Sequence, residues 1–316
     1  MKNKFTGPMG HMMKRYLALH RSFGVALKSA ECILNVFDQY LAAHFPKAKQ
    51  ITRKMVVGYL ETKQHLRSTS QQHHASLLRQ FCRFLFHLNP KTYIPGRKLL
   101  PPAKIEVRPH IYSETELQSI LRIAHRLGPP ESLRPHTLAA IFSLLWVSGM
   151  RISEALHLNI GDVDLETGVI HIRQTKFLKS RLVPLSSSST RALREYRDRR
   201  SRHGYSCHSM APFFLNRRGQ RYGCRGIQHG FCNIIQQLGI KTCQGRRPRI
   251  HDFRHSFATR WLNEFYESGK DPTAYLPILA TYLGHANISH TQIYLHPSLK
   301  LLQTAGQQFC RHIHQA

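Results

Sequence analysis

Thr167-Gly168-Val169-Ile170-His171-Ile172-Arg173, answered further on by Arg181-Leu182-Val183-Pro184-Leu185, is the stretch whose reading decides the fold. Ile170 and Ile172 alternate with Val169, His171 and Arg173, which is the period of two that a half-buried strand requires. Thr167-Gly168 supplies a turn, and 181–185 reads as a short partner strand. On both sides of this stretch the apolar residues return every three or four positions instead, the spacing of amphipathic helices. The expectation is a mainly α protein with a small antiparallel β-sheet: an N-terminal helical bundle followed by a mixed α/β domain.

Working outward toward the C-terminus, the spacing predicts helices at about 190–200, 226–238, 251–267, 274–282 and 289–296, with a further amphipathic piece over 299–313. Toward the N-terminus, helices are expected over 151–158 and 136–148, separated by Gly149. Ser113 and Glu116 have capping-box spacing at the start of this unit. Residues 89–109 hold Pro90, Pro95, Pro101, Pro102 and Pro109, too many for a continuous helix, and read as an extended basic linker. Before it lie three helices over 16–45 (bent near Gly24), 52–66 and 70–88. The resulting division is a flexible N-terminus (1–15), a helical bundle (16–88), the linker (89–109), a larger domain (110–298) and a C-terminal segment (299–316) with an interrupted apolar stripe.

Charge narrows the function. Forty-six Lys and Arg against 17 Asp and Glu give a formal +29, which points first to nucleic acid and next to an anionic membrane face. Residues 1–105 hold 18 basic and 3 acidic residues and residues 106–316 hold 28 and 14, so the halves carry +15 and +14. The excess therefore belongs to both prospective folded units. Arg53, Lys54, Lys63, Arg67, Arg79 and Arg83 on the bundle, Lys98 and Lys104 in the linker, and Lys179 and Arg181 at the strand pair are the candidate DNA contacts. No apolar run is long enough to span a membrane, no signal peptide is recognisable, and no Gly-x-x-x-x-Gly-Lys-Ser/Thr loop is present. The seven scattered cysteines fit reduced thiols, and the absence of a repeated Cys-x-x-Cys disfavours zinc.

Four segments could carry chemistry on DNA. In Gly149-Met150-Arg151-Ile152-Ser153-Glu154, Arg151 follows a helix break and Glu154 lies one turn on; alone this is an ordinary surface pair. In His251-Asp252-Phe253-Arg254-His255-Ser256-Phe257, Phe253, Phe257 and Trp261 recur on a core face and leave His251, Arg254 and His255 facing another way. Leu283-Gly284-His285 suits a helix end, after which Ser289 and Gln292 have capping-box spacing and Tyr294 falls in the second turn. Lys176 lies in the connection between the strands, a place where most lysines are simply solvated.

Together and in this order, these segments resemble the tyrosine recombinase, or phage integrase, family, with motifs spread over about 110–297. The resemblance implies an active site of Arg151, Lys176, His251, Arg254, His285 and Tyr294, with Glu154 steadying Arg151 or its helix. It implies that Tyr294 attacks a DNA phosphodiester to give a 3′-phosphotyrosyl bond, with no cofactor and no metal. The two arginines would meet phosphate charge, Lys176 would protonate the leaving 5′-oxygen, His251 would help take the tyrosine proton and His285 would hydrogen-bond the phosphate. Double-stranded DNA sites, a homotetramer on synapsed DNA, room for a second recombinase as partner, and a cytoplasmic location belong to the same expectation. The hairpin departs from the family's Gly-Lys-Gly-x-Lys-x-Arg: it reads Thr175-Lys176-Phe177-Leu178-Lys179-Ser180-Arg181, which leaves Lys179 as the alternative to Lys176. A relaxing enzyme like type IB topoisomerases, and an inactive DNA-binding protein, are the competing readings.

Overall fold

The sheet sits where the change of period places it. The computed structural model describes residues 5–24, 27–102, 108–129, 131–173, 180–268, 270, 272–284, 287 and 291. Within the second unit, β1 (Val163–Asp164), β2 (Val169–Ile172) and β3 (Arg181–Pro184) form an antiparallel sheet in the order β1-β2-β3. Gly168, at φ 69°, closes the first turn, and Asp164 accepts hydrogen bonds from the backbone of Glu166 and Thr167 across it. Ile170 faces Val183 and Ile172 faces Arg181. Ile170, Ile172 and Val183 point into the core while Leu182, on the other face, is exposed.

The chain divides between Val107 and Arg108 into two units. The first contains α1 (Gly10–Ser22), α2 (Lys28–His44), α3 (Arg53–Glu61) and α4 (Ser68–Phe86). Their shared core is built on Met13, Tyr16, Leu34, Phe37, Val56, Tyr59, Leu78 and Phe81, all essentially inaccessible. Three expectations are corrected here. The single helix over 16–45 is two helices, because Gly24 takes φ 74° and ends the first one. The stretch 5–15 is not a flexible arm: Phe5, Met9 and Met13 enter the core, and the backbone of Gly7 donates to the buried carboxylate of Asp38 at 2.8 Å. Nor do residues 89–102 run as a free linker. Tyr93, Ile94, Leu99 and Leu100 pack on the bundle, the Tyr93 backbone bonds to Ile51, and Arg79 donates to the carbonyls of Pro95 and Gly96 at 2.8 Å each.

The second unit adds α5 (Glu114–Ala124), α6 (Leu133–Ser148), α7 (Ile152–His157), a 3-10 turn (Ile160–Asp162), α8 (Ser187–Arg202), α9 (Cys224–Leu238), α10 (Asp252–Glu267) and α11 (Pro272–Leu283) around the sheet. The Ser113–Glu116 capping box forms in both directions, at 3.1 and 2.9 Å. α6 is apolar on every side and runs through the middle of the unit, packed by α5, α8 and α10. This burial is what a helix without a polar face demands. The Arg260 guanidinium of α10 sits over the Trp146 ring of α6, with Cζ 3.6 Å from the ring centre, and donates to the Trp146 carbonyl. Among the described residues, no helix is long and apolar enough to cross a membrane.

Candidate active site

Two helix ends create the site. α6 stops at Gly149, which adopts the left-handed conformation (φ 57°) and leaves its carbonyl outside the helix ladder. α11 stops at Leu283, and Gly284 is again left-handed (φ 68°). Arg254, in the first turn of α10, reaches both ends: Nη1 donates to the Gly149 carbonyl at 3.0 Å and Nη2 to the Leu283 carbonyl at 2.6 Å. Its side chain is almost completely buried (1% exposed). Arg254 is thus not displayed on a polar face as its sequence position suggests. It lies behind the site and joins two helix ends whose partial negative charge favours a cation.

Arg151 is the N-cap of α7, two residues past Gly149. Its Nη1 donates to Glu154 Oε1 at 2.8 Å, its backbone N–H to Oε2 at 2.9 Å, and its Nη2 to the Gly284 carbonyl at 3.3 Å. About a third of the side chain stays exposed (34%), so Arg151 is the guanidinium that solvent reaches. Glu154 is not merely a local partner. Arg181, from the start of β3, donates to both of its oxygens, at 3.1 and 2.7 Å. Burial alone would raise the Glu154 carboxyl, but the hydrogen bonds and charges of Arg181 and Arg151 outweigh it and hold the group below the ordinary carboxylate range. Arg181, expected to touch DNA, is instead committed inside the protein.

His251 precedes α10 and is exposed at its outer edge, yet protein crowds the rest of the ring. That desolvation, then the charges of Arg254 and Arg249, lower its pKa. His255 packs edge-on against it, with ring centres 5.1 Å apart, and burial followed by the His251 charge pushes His255 down to about 4. A neutral imidazole at His251 has a lone pair with which to accept a proton. The backbone beneath it is fixed by the buried Asp252, which takes bonds from the N, Nε and Nη2 of Arg249. Ser256 adds a second anchor, accepting from the Tyr112 backbone at 2.8 Å and donating to the Asp252 carbonyl.

Arg151, Glu154, His251 and Arg254 are therefore brought together, and Gly284 sits against them with His285 next in sequence. Lys104, Lys176, Lys179, His285, Tyr294 and the segment 299–316 lie outside the described residues; Thr291, three residues before Tyr294, is fully buried. Of the other basic candidates, Arg53, Lys54, Arg67, Arg83 and Lys98 are exposed. Lys63 lies over the Tyr59 ring, and Arg79 is occupied by Pro95 and Gly96. Sequence reasoning missed the supporting roles of Arg181, Arg249 with Asp252, and Ser256. Only Arg249-x-x-Asp252, with the spacing of a local helix-start pair, carried a signal that could have been read.

Residues 111–300 match the phage integrase family. The chain belongs to this family of tyrosine recombinases. The activity that goes with the family is site-specific cleavage and rejoining of DNA through a phosphotyrosyl intermediate. A Sinorhizobium fredii protein described as an integrase/recombinase is 34% identical over 303 residues, spanning 95% of this chain and 96% of its own length. Tyrosine recombinase XerD of Oceanobacillus iheyensis is 29% identical over 288 residues, 90% of this chain and 91% of that one. Among solved structures, XerH recombinase in a post-cleavage complex with a palindromic difH substrate has a TM-score of 0.65 at 22% identity, covering 89% of this chain and 78% of that one. It shares the fold.

Proposed function

We propose that Tyr294 is the nucleophile of a recombinase that breaks and rejoins DNA without a metal ion, and that Arg151, Lys176, His251, Arg254 and His285 serve it. The observation that carries this reading is the meeting of Arg151, Arg254 and His251, whose pKa burial lowers, at the two glycine-ended helices, with the Leu283–Gly284 turn leading directly into His285. Attack by the Tyr294 oxygen on phosphorus forms the phosphotyrosyl ester and breaks the bond to the 5′-oxygen. His251 takes the phenol proton, and Lys176 gives one to the leaving oxygen. The reverse attack by the 5′-hydroxyl of another strand completes exchange. Because the ester conserves the bond, no nucleotide is hydrolysed. Charge growing on the non-bridging oxygens meets guanidinium donors already held in place, the kind of preorganised stabilisation that lowers such a barrier most.

Exposed Arg53, Lys54, Arg67, Arg83 and Lys98 give the first unit its share of phosphate contacts, and the charge on both units suits an enzyme that holds duplex with each. The relatives named as recombinases and integrases favour strand exchange between paired sites over simple relaxation, hence a tetramer on synapsed DNA in the cytoplasm. The test is covalent capture. Nicked duplexes with a randomised core are incubated with the full chain in excess EDTA, denatured, and the protein-linked DNA is sequenced. Wild type should yield linked DNA with a common core, and Tyr294→Phe none. An absolute Mg²⁺ requirement for linkage, or linkage that survives Tyr294→Phe, overturns the reading.

A further inference from the structure

Arg181 is built into the site by two hydrogen bonds to Glu154 and has no place in the reaction just described. Both of its terminal nitrogens are spent on Glu154, its side chain is 11% exposed, and its buried Nε has no partner among the described residues. Such an arrangement is a poor way to gain stability, because desolvating a guanidinium and a carboxylate costs about as much as their attraction returns. Its geometry has a different consequence. Glu154 is also the carboxylate that holds Arg151. With only Arg151 beside it, Glu154 would cancel most of the charge that Arg151 could offer to a phosphate. With Arg181 taking both oxygens, one carboxylate is shared by two guanidiniums and a positive charge is left over on the exposed side, at Arg151.

The second contact is with Gly284. A Cβ there would stand 2.8 Å from Arg181 Nη1 and 3.2 Å from Cζ, so the guanidinium lies directly on the turn that leads into His285. The carbonyl of the same glycine receives Arg151. Arg181 therefore braces the Glu154 carboxylate and the Leu283–Gly284 turn at once.

We propose that Arg181 is a positioning residue for cleavage: by saturating Glu154 and backing Gly284, it keeps the Arg151 charge available to the scissile phosphate. This rests on the reaction proposed above. The experiment uses the full chain and a nicked duplex selected by covalent capture, made once with the natural scissile phosphodiester and once with a neutral methylphosphonate there. On the phosphodiester, Arg181→Ala should slow adduct formation about tenfold to a hundredfold, the scale on which misplaced catalytic groups are felt. Arg181→Lys, which returns a positive charge beside Glu154, should recover part of that loss. On the methylphosphonate, where no charge awaits Arg151, the gap between wild type and Arg181→Ala should close toward unity.

A second measurement covers poor reactivity of the phosphonate. In the inert Tyr294→Phe background, the affinity lost on replacing the charged phosphate by the neutral one should be smaller with Arg181→Ala than without it. If Arg181→Ala does not fold, as judged by circular dichroism, Arg181→Lys carries both comparisons with a smaller expected gap. Equal losses on the two substrates, or wild-type rates for the variants on the phosphodiester, overturn the proposal. Failure of wild type itself to form an adduct overturns the proposed reaction instead.

Discussion

Replacing Gly149 by alanine tests how rigidly the site is framed. At φ 57° an alanine would pay the left-handed penalty of about 1–2 kcal/mol. Its Cβ would also stand 2.4 Å from Phe257 Cδ1, 2.8 Å from Cγ and 3.1 Å from Leu283 Cδ2. Phe257 has little room to retreat, since it stacks on Tyr282 of α11 with centroids 5.4 Å apart and planes 15° from parallel. Inserting a methyl group into such packing costs about 1–3 kcal/mol. The sum is about 2–5 kcal/mol, or roughly 4–20 °C in the melting of a unit of this size.

Gly239 supplies the control. It ends α9 in the same conformation, at φ 64°, with nothing within 4 Å of the added Cβ, so Gly239→Ala should show the backbone penalty alone. Urea and thermal unfolding of the two variants, followed by circular dichroism, separate the terms. Phe257→Ala should narrow the gap between them in a double variant, because it removes the ring that the new methyl meets. Because the Gly149 carbonyl receives Arg254, cleavage should also fall in Gly149→Ala and stay near wild type in Gly239→Ala. Equal destabilisation by the two alanines would refute the argument that the Phe257 contact cannot yield.

Two further outcomes are expected. Lys176→Ala should slow cleavage far more than Lys179→Ala, and a substrate with a bridging sulfur at the 5′ position, whose thiolate leaves without a proton, should rescue it; equal losses without rescue would move the acid elsewhere in the hairpin. His255, lowered to about 4 in the folded chain against an ordinary 6.5, gives stability that is full above pH 6.5 and falls as the pH drops toward 4, because the unfolded state takes up the proton first. The melting temperature of His255→Gln should therefore depend less on pH across that window than that of wild type; parallel profiles would show that the ring is not held neutral.

How much of this was legible depended on the range of each interaction. The sheet was readable because alternation is a local pattern and Gly168 marks the turn into β2. The break at Gly24 was not, because α1 and α2 face the same core and the three-to-four spacing continues across it. Phe5, Met9 and Met13 carry helical spacing too, but the Gly and Pro between them read as an arm, and what ties that stretch down is distant in sequence: the bundle core and the Gly7–Asp38 hydrogen bond, which spans 31 positions. In the active site, Arg151 with Glu154 was visible at a separation of three. Arg181 with Glu154 spans 27 positions, and Arg254 reaches carbonyls 29 and 105 positions away. A sequence displays which residues are charged; it does not display which backbone carbonyl a folded turn turns toward them.

That last point explains why the motifs have the form they do. Gly149 precedes Arg151 by two residues and Gly284 precedes His285 by one, and in both places the glycine ends a helix with its carbonyl free. A helix end must find donors for its last carbonyls, and here the donors are the two guanidiniums of the site. Arg254 satisfies Gly149 and Leu283, and Arg151 satisfies Gly284. Capping and active-site construction are thus one set of hydrogen bonds. The carbonyls orient each fork without neutralising it, because they carry only partial charge, whereas Glu154 is a full charge and has to be shared with Arg181. In the proposed reaction, a phosphate arriving between these helix ends would meet cations whose directions were fixed before it came, so little of its binding energy would be spent on arranging them. In the proposed reaction the glycines would therefore serve catalysis through their backbone, although neither has a side chain with which to act.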